Sequence, residues 1–327
     1  MKLLVRAPII EERLKELKMH FEEVVYDPWT ITGKRYYEDE MIQALKKHQP
    51  DVLITEMDRI TKKVLANYDK LQAIGDCRAN PANLDVDACT KAGIPILCTP
   101  ARNGQAVAEM LVGLLINFMR NILPSVNWIK NGDWIEGTTP YYLWMGNELQ
   151  GKKIGFVGFG AVGRASAKIL EACGCKIYFY DPYVDFWKEE YTKCNLDEIF
   201  ENSDIVSIHL PVLESTKRMI NSELFSKMKK TAIFVNTARS AVVDECALME
   251  VIRNKRIKGA ILDVLDVEPP TKESIEIAKF PNVLLTPHIC GATHEVTDHQ
   301  SDIITERLLK WLSKEDLEEI VYNKSVL

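Results

Sequence analysis

Three side chains of different chemistry stand just beyond three apolar runs in the second half of the chain. Arg239 follows AIFVNT, Glu268 follows AILDV within DVLDVEPP, and His288 follows VLLTP within LLTPHICGAT. An arginine offers a planar fork that grips a carboxylate and can polarise the keto oxygen beside it. A histidine titrates near neutrality and can take or give a proton there. A neighbouring carboxylate holds the imidazole in one tautomer and stabilises its cation. These are the groups that oxidation of a 2-hydroxy acid requires, because a hydride must leave C2 and a proton must leave the hydroxyl. Each residue also has a plainer use. Arg239 can cap or pair near the following helix, Glu268 can be a solvated loop acid like Asp266, and His288 can bond to a backbone group.

A hydride acceptor is suggested by KIGFVGFGAVGRASAKIL, in which Gly158, Gly160 and Gly163 form GxGxxG between a strand and a helix. Gly158 permits the tight turn, Gly160 lets a pyrophosphate approach the backbone, and Gly163 allows close helix packing. The helix N-terminus then offers free N–H groups to the phosphates. Asp181 lies 18 residues past Gly163, at the end of KIYFYD, where an acid binds the adenosine ribose hydroxyls. Pro182 and Tyr183 add no cation for a 2′-phosphate, which favours NAD over NADP.

In open α/β sheets, ligands bind beyond the carboxyl ends of the strands, so the strands that deliver these residues define the fold. From residue 146 onward six are expected: KIGFVG, KIYFYD, IVSIHL, AIFVNT, AILDV and VLLTP, alternating with helical segments as two halves of a doubly wound parallel sheet. Their continuous apolar character suits strands covered on both faces. The first hundred residues alternate LLVRA, EVVYD, VLITE, LQAIG and IPILC with helices, which implies a second, smaller α/β layer. The aromatic, turn-rich stretch 131–151 reads as a long loop between domains. The apolar stretch 106–119 reads as a helix buried at a domain or subunit interface, too short for a membrane span.

The chain has 327 residues, 46% of them hydrophobic, and a formal charge of −6, which argues against a nucleic-acid or anionic-membrane partner. Its eight cysteines show no paired CxxC and no zinc spacing, and the N-terminus turns charged too soon for a signal peptide. No metal site and a reducing cytoplasm are therefore expected.

The sequence resembles the D-isomer-specific 2-hydroxyacid dehydrogenases, among them phosphoglycerate, glycerate and D-lactate dehydrogenases. The resemblance rests on CTPARNGQAVAE (98–109), GFVGFGAVG (155–163), YDP (180–182), HLP (209–211), VNTARSAVVDE (235–245), LDVLDVEPP (262–270) and PHICGAT (287–293). It implies two Rossmann-like domains: a substrate domain of residues 1–100 plus 293–327, and an inserted NAD-binding domain of 101–292. It implies Arg239, Glu268 and His288 as the catalytic set. Around the cofactor it implies Ala161, Val162, His209, Pro211, Thr216, Thr237 and Gly291, with Asp263 holding the carboxamide. It also implies a short C-terminal strand in IVYNKSVL and a homodimer formed through the helix 104–121.

Two departures stand out. Where many members carry a glycine-rich turn that receives the substrate carboxylate, this chain has CRANPANLD (77–85). There Asn80 and Pro81 replace flexible glycine and remove one donor, Ala79 and Asn80 are expected to meet the substrate, and Arg78 is either a surface charge or a cation for a second anionic or polar group, as in phosphoglycerate. Cys290 stands where glycine or alanine is usual. The aromatic residues Trp134, Tyr141, Tyr142 and Trp144 pack a dimer or line a substrate pocket. The function expected is hydride transfer between nicotinamide and C2 of a D-2-hydroxy acid, with phosphoglycerate- or hydroxypyruvate/glyoxylate-type substrates favoured. The alternative is a corepressor-like NAD(H) sensor of the same fold, with formate dehydrogenase a weaker enzyme alternative.

Overall fold

Val, Ile and Leu in unbroken runs make strands that bury both faces, and in the computed structural model, which describes all residues Met1–Leu327, they do so in two separate sheets. The chain divides into two units, Met1–Asn103 with Thr293–Leu327, and Gly104–Ala292.

In the discontinuous unit, β1 (Lys2–Val5), β2 (Glu23–Tyr26), β3 (Val52–Thr55), β4 (Ala73–Asp76) and β5 (Ile96–Cys98) form a parallel sheet in the order β2-β1-β3-β4-β5. Every residue of β3 and β4 is buried. The helix Glu295–Ser313 completes this core, with Ile304 and Leu308 wholly buried beside Leu3, Val5 and Leu97. It sits so close to β4 that a Cβ on Gly75 would stand 2.9 Å from Ile304 Cδ1.

The expected C-terminal strand is a single antiparallel bridge, Val321 to Leu97, followed by the 3-10 turn Lys324–Val326. A longer ladder is pre-empted by the Asn323 side chain. It accepts from Ile96 N at 2.8 Å and donates to Ile94 O at 3.0 Å, filling positions a strand backbone would take.

In the second unit, β6 (Lys153–Val157), β7 (Lys176–Tyr180), β8 (Thr192–Lys193), β9 (Ile205–Ile208), β10 (Ile233–Asn236), β11 (Gly259–Leu262) and β12 (Val283–Leu285) are parallel in the order β12-β11-β10-β9-β6-β7-β8. The sheet therefore has seven strands rather than six. The extra one, β8, is two exposed residues paired to β7, with no apolar run to announce it. The order reverses between β6 and β9, which is where such sheets bind ligands.

One expectation about the connecting segments changes, the placing of 131–151. The apolar helix runs Gly104–Met119, ending before residue 121. It is buried mainly inside its own unit, where Leu111, Leu115 and Met119 join Phe156, Ala167 and Leu170 in one core. The stretch 131–151 lies within the second unit, not between units, and includes the short helix Pro140–Leu143. No single helix is long and apolar enough to cross a membrane.

Candidate active site

The turn after β6 has the shape its glycines predict. Gly158 adopts φ +91° with no room for a side chain, since a Cβ there would meet His209 O at 2.6 Å. A Cβ on Gly163 would stand 2.9 Å from Gly158 O, whereas one on Gly160 would point into open space. The helix Ala161–Ala172 begins without a side-chain cap, and the N–H groups of Ala161, Val162 and Gly163 find no acceptor in the chain. Open space above Gly160 and three free amides at a helix start fit a pyrophosphate.

Asp181, at the end of β7, accepts from Phe159 N at 2.7 Å through Oδ2 and from Tyr183 N at 2.8 Å through Oδ1. It thereby braces the glycine turn, while each oxygen keeps a further lone pair for a hydroxyl. Pro182 links Asp181 to the exposed Tyr183.

After β9, His209 is part-buried, with Nε2 at 2.9 Å from Ser207 Oγ. Burial pushes its imidazole down to about 4, so it is neutral at pH 7. Thr216 is turned into its own loop, donating to Pro211 O at 2.6 Å and accepting from Leu213 N at 2.8 Å. Thr237 is 8% exposed, and its Oγ1 has no partner in the protein. An orphaned buried hydroxyl on the edge where the sheet binds ligands is a further point at which a bound nicotinamide nucleotide fits.

The three reactive candidates leave adjacent strands. His288 Nδ1 lies 2.7 Å from Glu268 Oε2, with side-chain exposures of 44% and 39%. Glu268 Oε1 accepts from Leu265 N at 3.0 Å. Partial burial pushes the Glu268 carboxyl up, but the bonds from His288 and Leu265 outweigh it and hold the group below its usual value. Arg239, beyond β10, is exposed and has no carboxylate partner. Its Nη1 donates to Ala238 O at 2.6 Å. Asn236 shapes that turn, donating to Arg239 O at 2.9 Å and accepting from Ala238 N at 3.0 Å.

His288 adopts φ +57°, a left-handed conformation that costs a side-chain-bearing residue about 1–2 kcal/mol. Asp263 explains how it is held. This acid is 1% exposed, and its carboxylate accepts from Thr286 Oγ1 at 2.6 Å, Ile289 N at 2.9 Å and Cys290 N at 2.8 Å. Both oxygens are thus turned to the loop that presents His288. Neither spacing nor motif reveals this clamp. Cys290 is buried beneath it, and burial pushes its thiol well up, so it is not a reactive thiolate. Gly291 follows directly.

On the first unit, Arg78 stands past β4 with no ionic partner, and the N–H groups of Ala79 and Asn80 make no bond within the chain. Nearby, Arg102 pairs with Glu56 at 2.7 Å and with Gln300, and Trp29 Nε1 donates to Glu56 at 2.9 Å. No group of three or more His, Cys, Asp or Glu side chains is placed to hold a metal ion.

Residues 112–290 match the family model described as D-isomer specific 2-hydroxyacid dehydrogenase, NAD binding domain. The chain is 46% identical over 329 residues to YoaD of Bacillus subtilis (strain 168), named as a 2-hydroxyacid dehydrogenase, spanning 100% of this chain and 96% of that one. It belongs to the D-isomer-specific 2-hydroxyacid dehydrogenases.

Members of this family are NAD-dependent oxidoreductases, and the second unit of this dehydrogenase carries its nucleotide-binding sheet. It is also 36% identical over 332 residues to a glyoxylate reductase of Thermofilum pendens, covering 100% of this chain and 95% of the relative. Among solved structures it is similar to an acyclic imino acid reductase in complex with NADPH and D-Arg. That structure has a TM-score of 0.81 and 25% identity, with 98% of this chain and 99% of that chain covered.

Proposed function

We propose that this dehydrogenase interconverts a small 2-keto acid and the D-2-hydroxy acid, using NAD(H) in preference to NADP(H). The observation that carries the reading is the 2.7 Å contact between His288 Nδ1 and Glu268, with the unpaired Arg239 on a neighbouring strand end. Bound NADH supplies the hydride to C2. His288, with Nδ1 engaged by Glu268, has Nε2 free to give its proton to the forming alkoxide and to take it back in the oxidative direction. Glu268 fixes the tautomer and steadies the imidazolium. Arg239 holds the substrate carboxylate.

On the first unit, Arg78 with the free amides of Ala79 and Asn80 is assigned to an anionic part of the substrate. Glyoxylate, hydroxypyruvate and phosphohydroxypyruvate are the substrates favoured. Similarity to a glyoxylate reductase supports the smaller two. The Asp181 carboxylate, with no cation beside it in YDPY, supports NAD over NADP.

The eight unpaired cysteines support a cytoplasmic setting. Ile122, Val126 and Ile129, exposed at one-face spacing on the helix Ile122–Lys130, support self-association of two copies.

The test is NADH oxidation against glyoxylate, hydroxypyruvate, phosphohydroxypyruvate, pyruvate and phenylpyruvate, repeated with NADPH. Turnover of at least one with NADH, and weaker turnover with NADPH, is the expected result. Tight NADH binding without reduction of any keto acid would overturn the assignment in favour of a nucleotide sensor.

A further inference from the structure

The helix that opens the nucleotide site carries an arginine without an acceptor. Arg164 is the fourth residue of the helix Ala161–Ala172. Long helical side chains lean back toward the N-terminus. Arg164 is thereby carried over the first turn, where the amides of Ala161, Val162 and Gly163 are free. None of its N–H donors bonds within the chain, and Nε is buried out of reach of water. A buried donor left in that state is rare and calls for a reason.

The acids around it are engaged elsewhere. Glu171, further along the same helix, accepts from Lys188 Nζ at 2.7 Å and from Tyr191 Oη at 3.0 Å. Asp181 spends its two oxygens on Phe159 N and Tyr183 N. What holds the guanidinium is an aromatic ring, since its Cζ lies 3.8 Å from the centre of the Trp187 ring. A π face fixes the place of a cation without neutralising it.

The segment that supplies Trp187 is fastened at both ends. Asp181 ties its start to the glycine turn. Lys188 and Tyr191 tie its end to Glu171, and the buried Tyr191 also meets Phe159 edge-on, with ring centres 6.0 Å apart. Between these anchors Trp187 remains exposed, beside the first turn of the helix.

We propose that Arg164, braced by Trp187, is a cation for the pyrophosphate of the bound dinucleotide and a determinant of cofactor affinity. A pyrophosphate diester is a dianion, whereas the glycine turn offers it only amide dipoles. GFGAVG contains no charged residue, and Arg164 is the first cation after it. Its planar fork suits phosphate oxygens. Because NADH and NADPH share the pyrophosphate, the preference assigned to Asp181 is untouched. The inference rests on nucleotide binding by the second unit and not on the choice of keto acid.

Isothermal titration with NADH, without keto acid, reads this directly. At low ionic strength Arg164→Gln should weaken NADH about 10-fold, as loss of a hydrogen bond to a charged group does. ADP-ribose, which keeps the pyrophosphate, should lose the same factor, and NADPH likewise. At about 1 M salt, where charges are screened beyond about 3 Å, wild type and variant should converge. Arg164→Lys keeps the charge but not the fork and should lie between them. Trp187→Leu frees the cation and should cause a smaller loss than Arg164→Gln.

Unchanged NADH affinity in Arg164→Gln overturns the proposal. A loss as large at high salt as at low salt overturns it too, and makes the arginine and tryptophan a structural staple of the 182–191 segment. A loss confined to NADPH moves the cation to the 2′-phosphate. Should Arg164→Gln lower the urea midpoint, Arg164→Lys carries the same salt comparison. A wild type that binds NADH yet reduces no keto acid counts against the functional assignment, while Arg164 is still judged by these titrations.

Discussion

At the carboxyl end of β1, Arg6 is wholly buried, with Nε 3.2 Å from Asp58, Nη1 2.7 Å from Asp27, and its guanidinium 3.5 Å above the Tyr36 ring. At the carboxyl end of β10, Arg239 is exposed and meets no carboxylate. Acids follow the same division. Asp76 at the end of β4 is buried, with burial pushing its pKa up to about 8, whereas Glu268 beyond β11 is partly exposed and held below its usual value. The two sheets share a parallel architecture and gather polar side chains at the same edge. Pairing and burial make Arg6 and Asp76 part of the fold, and exposure leaves Arg239, Glu268 and His288 available to a ligand. Position at a strand end therefore nominates a residue, and the state of its charge decides whether it can react.

The largest effect that would sharpen this contrast is expected from His288→Gln. Turnover should fall by roughly 10²–10⁴-fold, the span typical of a general acid or base. NADH affinity and the urea midpoint should hold. Near-wild-type turnover would remove His288 from the chemistry and erase the distinction between the two edges.

The converse experiment is Arg6→Leu. It strands the fully buried Asp58 and should lower unfolding stability by about 3–5 kcal/mol, the usual consequence of removing one partner of a buried ion pair. A stability within about 0.5 kcal/mol of wild type, the range of an ordinary surface change, would show that this network is not structural.

An effect that depends on pH is expected from Asp76→Asn. Asp76 Oδ1 accepts from Asn83 at 3.2 Å, and Oδ2 has no partner. With a folded pKa raised from 3.8 to about 8, stability is complete below about pH 4 and is lost as pH rises through 8. The Asn variant lacks that loss, so its Tm should gain on wild type between pH 5 and pH 8. A Tm difference independent of pH would place a charged Asp76 in the fold.

Much of the fold is legible because parallel strands write themselves as apolar runs, and five runs in the first hundred residues correspond to the five strands of one sheet. The glycine turn is legible because its spacing encodes backbone geometry. What escaped the sequence has other causes. Strand β8 is two exposed residues recruited by pairing with β7, without a hydrophobic signature. Val321 forms one bridge instead of a strand because Asn323 occupies the neighbouring backbone groups. The apolar helix Gly104–Met119 reads as interface material, but period and composition do not tell which surface covers it. Asp263 carries no mark of its clamp, since the residues it binds lie 23 to 27 positions away.

The helix Glu295–Ser313 also bears on how the protein is made. Ile304 and Leu308 belong to the core of the unit that begins at Met1, so that core lacks a wall until residues beyond 293 have been synthesised. The inserted unit, Gly104–Ala292, is contiguous and can close on itself as it leaves the ribosome. For that interval the first hundred residues expose one face of β4, including the bare backbone of Gly75, to whatever holds nascent chains apart.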